Sequence, residues 1–111
     1  MAEEIRLGGN IALIGFDKLD TAELAIIRKI VGAYEKKIQE NGGCKELKIS
    51  LRQHPHGKTF KHEIEVNGYF DDGMIGSNET DWNVFTALSS TLDKVLAQKI
   101  HKNKKQFKKG K

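Results

Sequence analysis

The stretch "KELKISLRQHPHGKTFKHEIEVNG", residues 45–68, decides the fold class of this chain. Apolar and polar side chains alternate over residues 47–51 and again over residues 60–66, where His62 falls on the apolar side. A period of two is typical of a strand with one buried and one solvated face. The segment His54–Gly57 lies between the two runs and predicts a turn, so this stretch is expected to form two neighbouring strands of a meander.

The segments on either side of this stretch predict two more strands. Asn67-Gly68 is a dipeptide typical of tight hairpin turns, and "YFDDGMIGS" after it predicts a shorter, irregular strand. Near the start of the chain, the apolar run "NIALIGF" at residues 10–16 is long enough for a strand and too short for a helix. Four strands are therefore expected.

Two longer segments have apolar residues at steps of three and four, the spacing of an amphipathic helix. These residues are Leu24, Ile27, Val31, Tyr34 and Ile38 in the first segment, and Phe85, Leu88, Leu92, Val95 and Leu96 in the second. Asp20 or Thr21 is predicted to cap the first helix, and Thr80 or Asp81 the second. Asn41–Gly43 supplies the signal that ends the first helix.

The predicted order of elements is therefore β-α-β-β-β-α. Alternating strands give a sheet with one buried face. Two one-sided helices should cover that face, so we predict a two-layer α+β domain with a four-stranded sheet and both helices on one side. The first two strands are joined through a helix and are expected to run parallel, with a right-handed crossover.

The composition indicates a single domain with an uneven distribution of charge. The chain has 111 residues and a net charge of +4, but eight lysines and no carboxylate occur from Lys94 onward, which leaves 11 basic and 15 acidic residues elsewhere. Such a block favours an interaction with nucleic acid or another polyanion. We predict one domain at residues 1–105 and a basic tail at residues 106–111.

The remaining composition suggests a soluble cytoplasmic protein. Cys44 is the single cysteine, so no disulfide framework is expected. The chain contains no apolar run of the ~20 residues that a membrane span needs, and its acidic opening does not resemble a signal peptide. We therefore expect no membrane partner.

Helical geometry predicts two basic ridges on the side of the helices away from the sheet. Lys94, His101, Lys105 and Lys108 fall opposite the apolar stripe of the second helix, provided that this helix continues past residue 100. Lys29 and Lys36 fall together on the outer face of the first helix, among small residues. Lysine neutralises phosphate and carries little base specificity, so these ridges favour recognition of a nucleic-acid backbone. The alternative is an ordinary solvated helix face.

Further candidate RNA contacts lie around the central turn and at the start of the second helix. On the turn these are Arg52, His54, His56 and Lys58. Trp82 and Phe85 are one helical turn apart and are expected to anchor the second helix on the sheet. The alternative for Trp82 is a stacking surface for a base.

The sequence does not predict an enzyme. His54 and His56 lack a third ligand at metal-binding spacing, and His62 is expected at the edge of the core. Cys44 lacks an evident base, and Asp71-Asp72 is typical of a solvated turn. We expect no catalytic residues, metal, cofactor or small-molecule substrate.

The order of elements, "EKKIQE" at the end of the first helix, and "DWNVFTALSSTLDKVLAQKIHKNKK" resemble the ribosome hibernation promoting factors. This family is also called the ribosome-associated inhibitor or sigma-54 modulation proteins. Its second helix carries an aromatic residue and an alanine, then Asp-Lys-Leu, then Gln and a basic run. The matching residues here are Phe85, Ala87, Asp93, Lys94, Val95 and Gln98, and the resemblance spans residues 10–105.

The resemblance implies binding to ribosomal RNA of the small ribosomal subunit, in the mRNA and tRNA channel, which silences translation and protects idle ribosomes. Matched by position, the first contacts would be Lys94, Lys99, Lys102, Lys104 and Lys105, followed by Lys36 and Lys37. The chain is similar to the short form of the family, which lacks a dedicated dimerisation domain. The oligomeric state stays open.

Two other functions are compatible with the sequence. The α-β-β-β-α part of the order is shared with double-stranded RNA-binding domains, although those carry their basic run at the start of the last helix. A non-catalytic protein-interaction module that uses the basic tail as an arm is the other alternative.

Overall fold

The computed structural model describes the backbone of residues 4–8 and 10–109, and the side chains of this range up to Lys102. The elements are β1 (Glu4–Leu7), β2 (Ile11–Ile14), a 3-10 turn (Phe16–Lys18), α1 (Thr21–Glu40), β3 (Glu46–His56), β4 (Thr59–Phe70), β5 (Gly73–Asp81) and α2 (Val84–Lys109). The predicted α+β class is confirmed. None of the described helices has a segment both long enough and apolar enough to span a bilayer.

The sheet has five strands in the order β1-β2-β3-β4-β5, so the prediction of four strands was wrong. The additional strand is β1, which pairs antiparallel with β2. Because β1 has only four residues, its apolar alternation consists of Ile5 and Leu7 alone, and both are only partly buried. The sequence signal for this strand is therefore weak. β2 and β3 are parallel and joined through α1, as expected, and the remaining strands pair antiparallel.

The positions of two turns differ from the prediction. Asn67-Gly68 lies inside β4, where Asn67 pairs with both Lys48 and Gly76. A Cβ on Gly68 would lie 2.9 Å from the ring of Phe70, so this glycine makes room for an aromatic side chain and does not form a turn. The reversals occur instead at residues 57–58 and 71–72. Consequently, β3 extends through Pro55, and β3 and β4 form a long hairpin.

One apolar cluster holds the sheet and both helices together. It contains one face of the central strands and the inner stripes of α1 and α2, with Ile27, Val31, Leu88 and Leu92 fully buried. The predicted arrangement with both helices on one face is therefore confirmed. At about 25 cal/mol per Å² of apolar surface removed from water, burial of these stripes is the main force that fixes the helices on the sheet.

Different residue types cap the N-termini of the two helices. Asp20 caps α1 as predicted: its carboxylate accepts the backbone N–H of Glu23, and its own backbone N–H donates to the Glu23 carboxylate, which completes a capping box. The predicted caps of α2, Thr80 and Asp81, are part of β5, so that prediction was wrong. Asn83 has this role, because its side-chain oxygen accepts the backbone N–H groups of residues 85 and 86 at 2.9 and 3.1 Å.

The helices lie side by side and run in the same direction. The Tyr34 hydroxyl in the middle of α1 donates a hydrogen bond to Asp93 in the middle of α2. Beyond the end of α1, Gly42 lies beside the side chain of Lys99, further along α2. The backbone of α2 remains helical through Lys109, which confirms that this helix continues past residue 100 and shows no break after residue 105.

Candidate polyanion interface

The outer face of α1 presents exposed cations on a smooth surface. Lys29 and Lys36 are both exposed, as are Gly32 and Ala33 between them. Neither lysine forms an ion pair within 4.0 Å of a described residue. Small residues between two unpaired ammonium groups allow a phosphate backbone to approach the helix closely.

Lys37 lies at the junction of the two helices. Its Nζ is 5.2 Å from the centroid of the Tyr34 ring, and its side chain is exposed. Burial, followed by the hydrogen bond to Asp93, raises the pKa of the Tyr34 hydroxyl from 10.0 to about 12. The hydroxyl therefore remains a donor at neutral pH and holds α1 against α2 beside the Lys37 ammonium.

Three described lysines of α2 pair with carboxylates of β5 or of the turn before it, and Lys94 and Lys102 are the two that remain accessible. Lys94 forms a salt bridge with Glu79 of β5, although its side chain remains 57% exposed. Lys102 lies 3.6 Å from the carboxylate of Asp72, and it also donates to the backbone carbonyl of Asp72 at 3.3 Å. Exposed pairs of this kind contribute about 0–1 kcal/mol, so a phosphate can replace the carboxylate at little cost.

Lys99 was predicted to contact RNA at the surface, but the structure buries it. It is only 6% exposed, with its Nζ 4.7 Å from the centroid of the Phe70 ring and 3.7 Å from the Asp72 carboxylate. Position 99 follows Leu92 and Val95 at steps of seven and four, so it continues the apolar stripe. The sequence therefore contained a signal that Lys99 faces inward.

The other candidates on α2 divide into exposed residues and residues outside the described range. His101 is exposed, and Gln98 beside it donates to the Gly76 carbonyl at 3.5 Å. The side chains of Lys104, Lys105 and Lys108 lie outside the described residues, and so does the end of the predicted basic tail at residues 110–111.

A second group of candidates gathers at the end of the β3–β4 hairpin. Trp82 is 53% exposed, so the prediction that it anchors α2 on the sheet was wrong. The Nζ of Lys61 lies 5.5 Å from the centroid of its ring, and the ring of His56 approaches it at 5.2 Å with an interplanar angle of 78°. We call His56, Lys61 and Trp82 the hairpin cluster. Lys61 was not among the predicted contacts, because only the register of β4 against β5 brings it beside Trp82.

The other candidates on the hairpin are not members of this cluster. His54 contacts the Glu63 carboxylate at 2.7 Å, and Asn78 donates to the other Glu63 oxygen at 2.7 Å. The hydrogen bond from His54, and then that from Asn78, lowers the pKa of Glu63. Arg52 and Lys58 are exposed and form no ion pair with any residue in the described part of the chain.

The side chains with catalytic potential are mostly engaged in the fold. The Cys44 thiol donates to the Glu46 carbonyl at 2.9 Å, and burial raises its pKa. His62 lies at the edge of the core as predicted, and desolvation lowers its pKa. Within residues 4–8 and 10–102, no three His, Cys, Asp or Glu side chains gather closely enough to hold a metal ion.

No family model and no curated protein matches this chain. The resemblance to the hibernation factors therefore depends on the sequence patterns at the end of α1 and along α2, and on the order of the elements. The site is defined by its own geometry: unpaired cations on α1, carboxylate-paired cations on α2, and a separate hairpin cluster.

Proposed function

We propose that this protein binds the small ribosomal subunit through the outer faces of α1 and α2, and that it silences translation by occupying the mRNA and tRNA channel. The observation that carries the proposal is the exposed α1 surface, where Lys29 and Lys36 project beside small residues and form no ion pair with a carboxylate of the described residues. Lys37 adds a third cation at the edge of α2.

The second helix extends this basic surface along the direction of α1. Lys94 and His101 are exposed on α2, and the helix continues to Lys109 through the most lysine-rich part of the chain. Neutralisation of phosphates by the lysines of this surface releases counterions, so binding must weaken steeply with salt. Lysine surfaces read backbone position and shape, which suits a folded ribosomal RNA.

Two observations separate this proposal from a double-stranded RNA-binding domain. The start of α2 carries no lysine within its first ten residues, Val84 to Asp93. The sheet also has the additional strand β1 and a parallel β2–β3 pair. Binding to a plain RNA duplex is therefore expected to be weaker than binding to the small subunit, and this comparison distinguishes the two functions.

The test is co-sedimentation with purified small subunits at low and high salt, together with inhibition of cell-free translation. The intact chain should pellet with the subunits and inhibit translation. A variant with Lys29, Lys36 and Lys37 changed to Ala should lose most of both effects. A second variant, with Lys104, Lys105 and Lys108 changed to Ala, measures the contribution of the end of α2.

The matched control removes the same charge elsewhere. Lys18→Ala, Lys45→Ala and Lys48→Ala alter three lysines that lie off the outer helix faces, and this triple variant should sediment like the intact chain. If the intact chain stays in the supernatant at low salt, the proposed function is wrong. If an acidic protein captures the chain after RNase treatment and subunits do not, the interaction-module alternative is correct.

A further inference from the structure

The hairpin cluster combines an exposed aromatic ring with the ammonium group of Lys61 beside it. Trp82 is the only tryptophan of the chain, and more than half of its surface is accessible, at 53%. Lys61 lies over its ring, and His56 contacts it in an edge arrangement. Stacking on an aromatic ring, supported by nearby cations, is how proteins hold unpaired bases.

The position of Trp82 is held by the structure on both sides. The Asp81 carboxylate accepts the backbone N–H of Asn83 at 2.9 Å, and Asn83 in turn caps α2. Asp81 itself pairs with His62 at the end of β5, which places Trp82 next to Lys61. The indole is therefore presented from a short connection between a strand and a helix, so little backbone freedom is lost when a ligand stacks on it.

The charge around the cluster is complementary to phosphate. Residues 52–62 contain Arg52, Lys58 and Lys61 and no carboxylate. Asp81 accepts a backbone N–H, and Glu63 is held by His54 and Asn78. Lys61 forms no ion pair with a carboxylate among the described residues, so a base on the indole would bring its phosphate toward an available ammonium group.

The cluster is distinct from the helix surface described above. The strand alternation directs Ile64 and Val66 of β4 into the core beneath the helices, so Lys61 projects from the opposite face of the sheet. A ligand on the outer side of α1 and α2 leaves Trp82 uncovered.

We propose that the hairpin cluster is a second nucleic-acid site, which takes one unpaired base of single-stranded RNA on Trp82 and its phosphate on Lys61. Base-paired RNA does not fit this site, because the faces of its bases are covered by their neighbours in the stack. The inference goes beyond the proposed function, since it adds a single-stranded ligand and a surface that the helices do not form.

The intrinsic fluorescence of Trp82 tests the inference directly, because no other tryptophan contributes. The intact chain is titrated with a short oligoadenylate, with an abasic strand of the same length, and with the same oligoadenylate annealed to its complement. Saturable quenching by the oligoadenylate, and little by the other two, is the expected result. Equal quenching by the abasic strand or the duplex, or none by any of them, overturns the inference.

Matched variants test stacking on the Trp82 ring, with binding followed by anisotropy of a labelled oligoadenylate. Trp82→Ala should weaken binding about tenfold, whereas Trp82→Phe should retain most of the affinity. Phe60→Ala is the control, because Phe60 is a similarly exposed aromatic residue of the same hairpin, at 46%, on the other side of β4. If Trp82→Ala binds like the intact chain, the inference is wrong.

The two proposals can fail independently. The variant with three alanines on α1 should keep the oligoadenylate quenching even where it loses small-subunit binding. Trp82→Ala should keep most small-subunit binding even where it loses quenching. Quenching by an acidic peptide in place of the oligoadenylate would assign the cluster to a protein partner and would also overturn the inference.

Discussion

The outer lysines of α1 project into solvent, whereas the described lysines of α2 reach carboxylates of β5 and of the turn before it. Lys29 and Lys36 form no ion pair with a described residue, but Lys94 pairs with Glu79, and both Lys99 and Lys102 pair with Asp72. The difference follows from position, because α2 packs beside the edge strand β5 and the turn before it. The same residue type therefore supports the fold on one helix and leaves its charge available on the other.

This difference bears on how each helix would contact RNA. A lysine without a partner gains the full attraction of a phosphate, whereas a paired lysine must first exchange a carboxylate. The α2 lysines also differ in how accessible they are to a ligand. Lys99 is only 6% exposed, whereas the side chain of Lys94 is 57% exposed. Among the described paired lysines of α2, Lys94 is therefore the best placed to exchange its carboxylate for a phosphate.

The largest expected effect is on stability, where a lysine of α2 and a lysine of α1 should differ. Lys99→Ala removes a buried methylene chain and the contact of the ammonium group with Phe70, so it should lower the free energy of unfolding by about 2 kcal/mol. Lys29→Ala should change it by less than about 0.5 kcal/mol. Urea denaturation of both variants measures the difference, and equal stabilities would show that Lys99 has no structural role.

The next effect concerns affinity. Changing Lys29, Lys36 and Lys37 to Ala should weaken small-subunit binding by at least about tenfold, or ~1.4 kcal/mol. It should also reduce the slope of log affinity against log salt by about 2 to 3. The measurement is a binding titration at several salt concentrations. An unchanged slope would mean that these lysines do not neutralise phosphates.

A smaller effect tests the contact that joins the helices. Tyr34→Phe removes the hydrogen bond to Asp93 and should cost about 0.5–1.5 kcal/mol at neutral pH. The folded state raises the Tyr34 pKa from 10.0 to about 12, so this contribution is complete below pH 10 and is lost as the pH rises toward 12. Stability curves of both proteins against pH should converge over that range. A constant difference would rule out the linkage to Tyr34 ionisation.

The smallest expected effect comes from removing the carboxylate partner of an α2 lysine, which leaves that lysine unpaired like those of α1. Glu79→Gln frees Lys94 and should change the free energy of unfolding by less than about 0.5 kcal/mol. It should strengthen small-subunit binding by about twofold, because Lys94 no longer exchanges partners and one negative charge is lost. Glu65→Gln, on the opposite face of the sheet, is the control for net charge. If both substitutions strengthen binding equally, the pairing of Lys94 is irrelevant.

The sequence predicted the class of fold and the faces of the elements, because these depend on local periodicity. Leu47, Ile49 and Leu51 lie on the buried face as their alternation indicated, and the α1 stripe around Val31 is buried as its spacing indicated. The turn signals were less reliable. Asn67-Gly68 has the composition of a turn, yet the register against β3 and the space required by Phe70 place it inside a strand.

Local periodicity and the order of charges therefore predicted the layered arrangement, the face of its own element on which each side chain lies, and the division into an acidic body and a basic end. The tertiary structure alone decided the fifth strand, the pairing of Lys94 and Lys99 with carboxylates, and the placement of Lys61 beside Trp82. The two kinds of feature depend on interactions of different separation along the chain. Periodicity acts within one helix or strand, but the partner of a charged or aromatic side chain is set by strand register and by which edge a helix packs against.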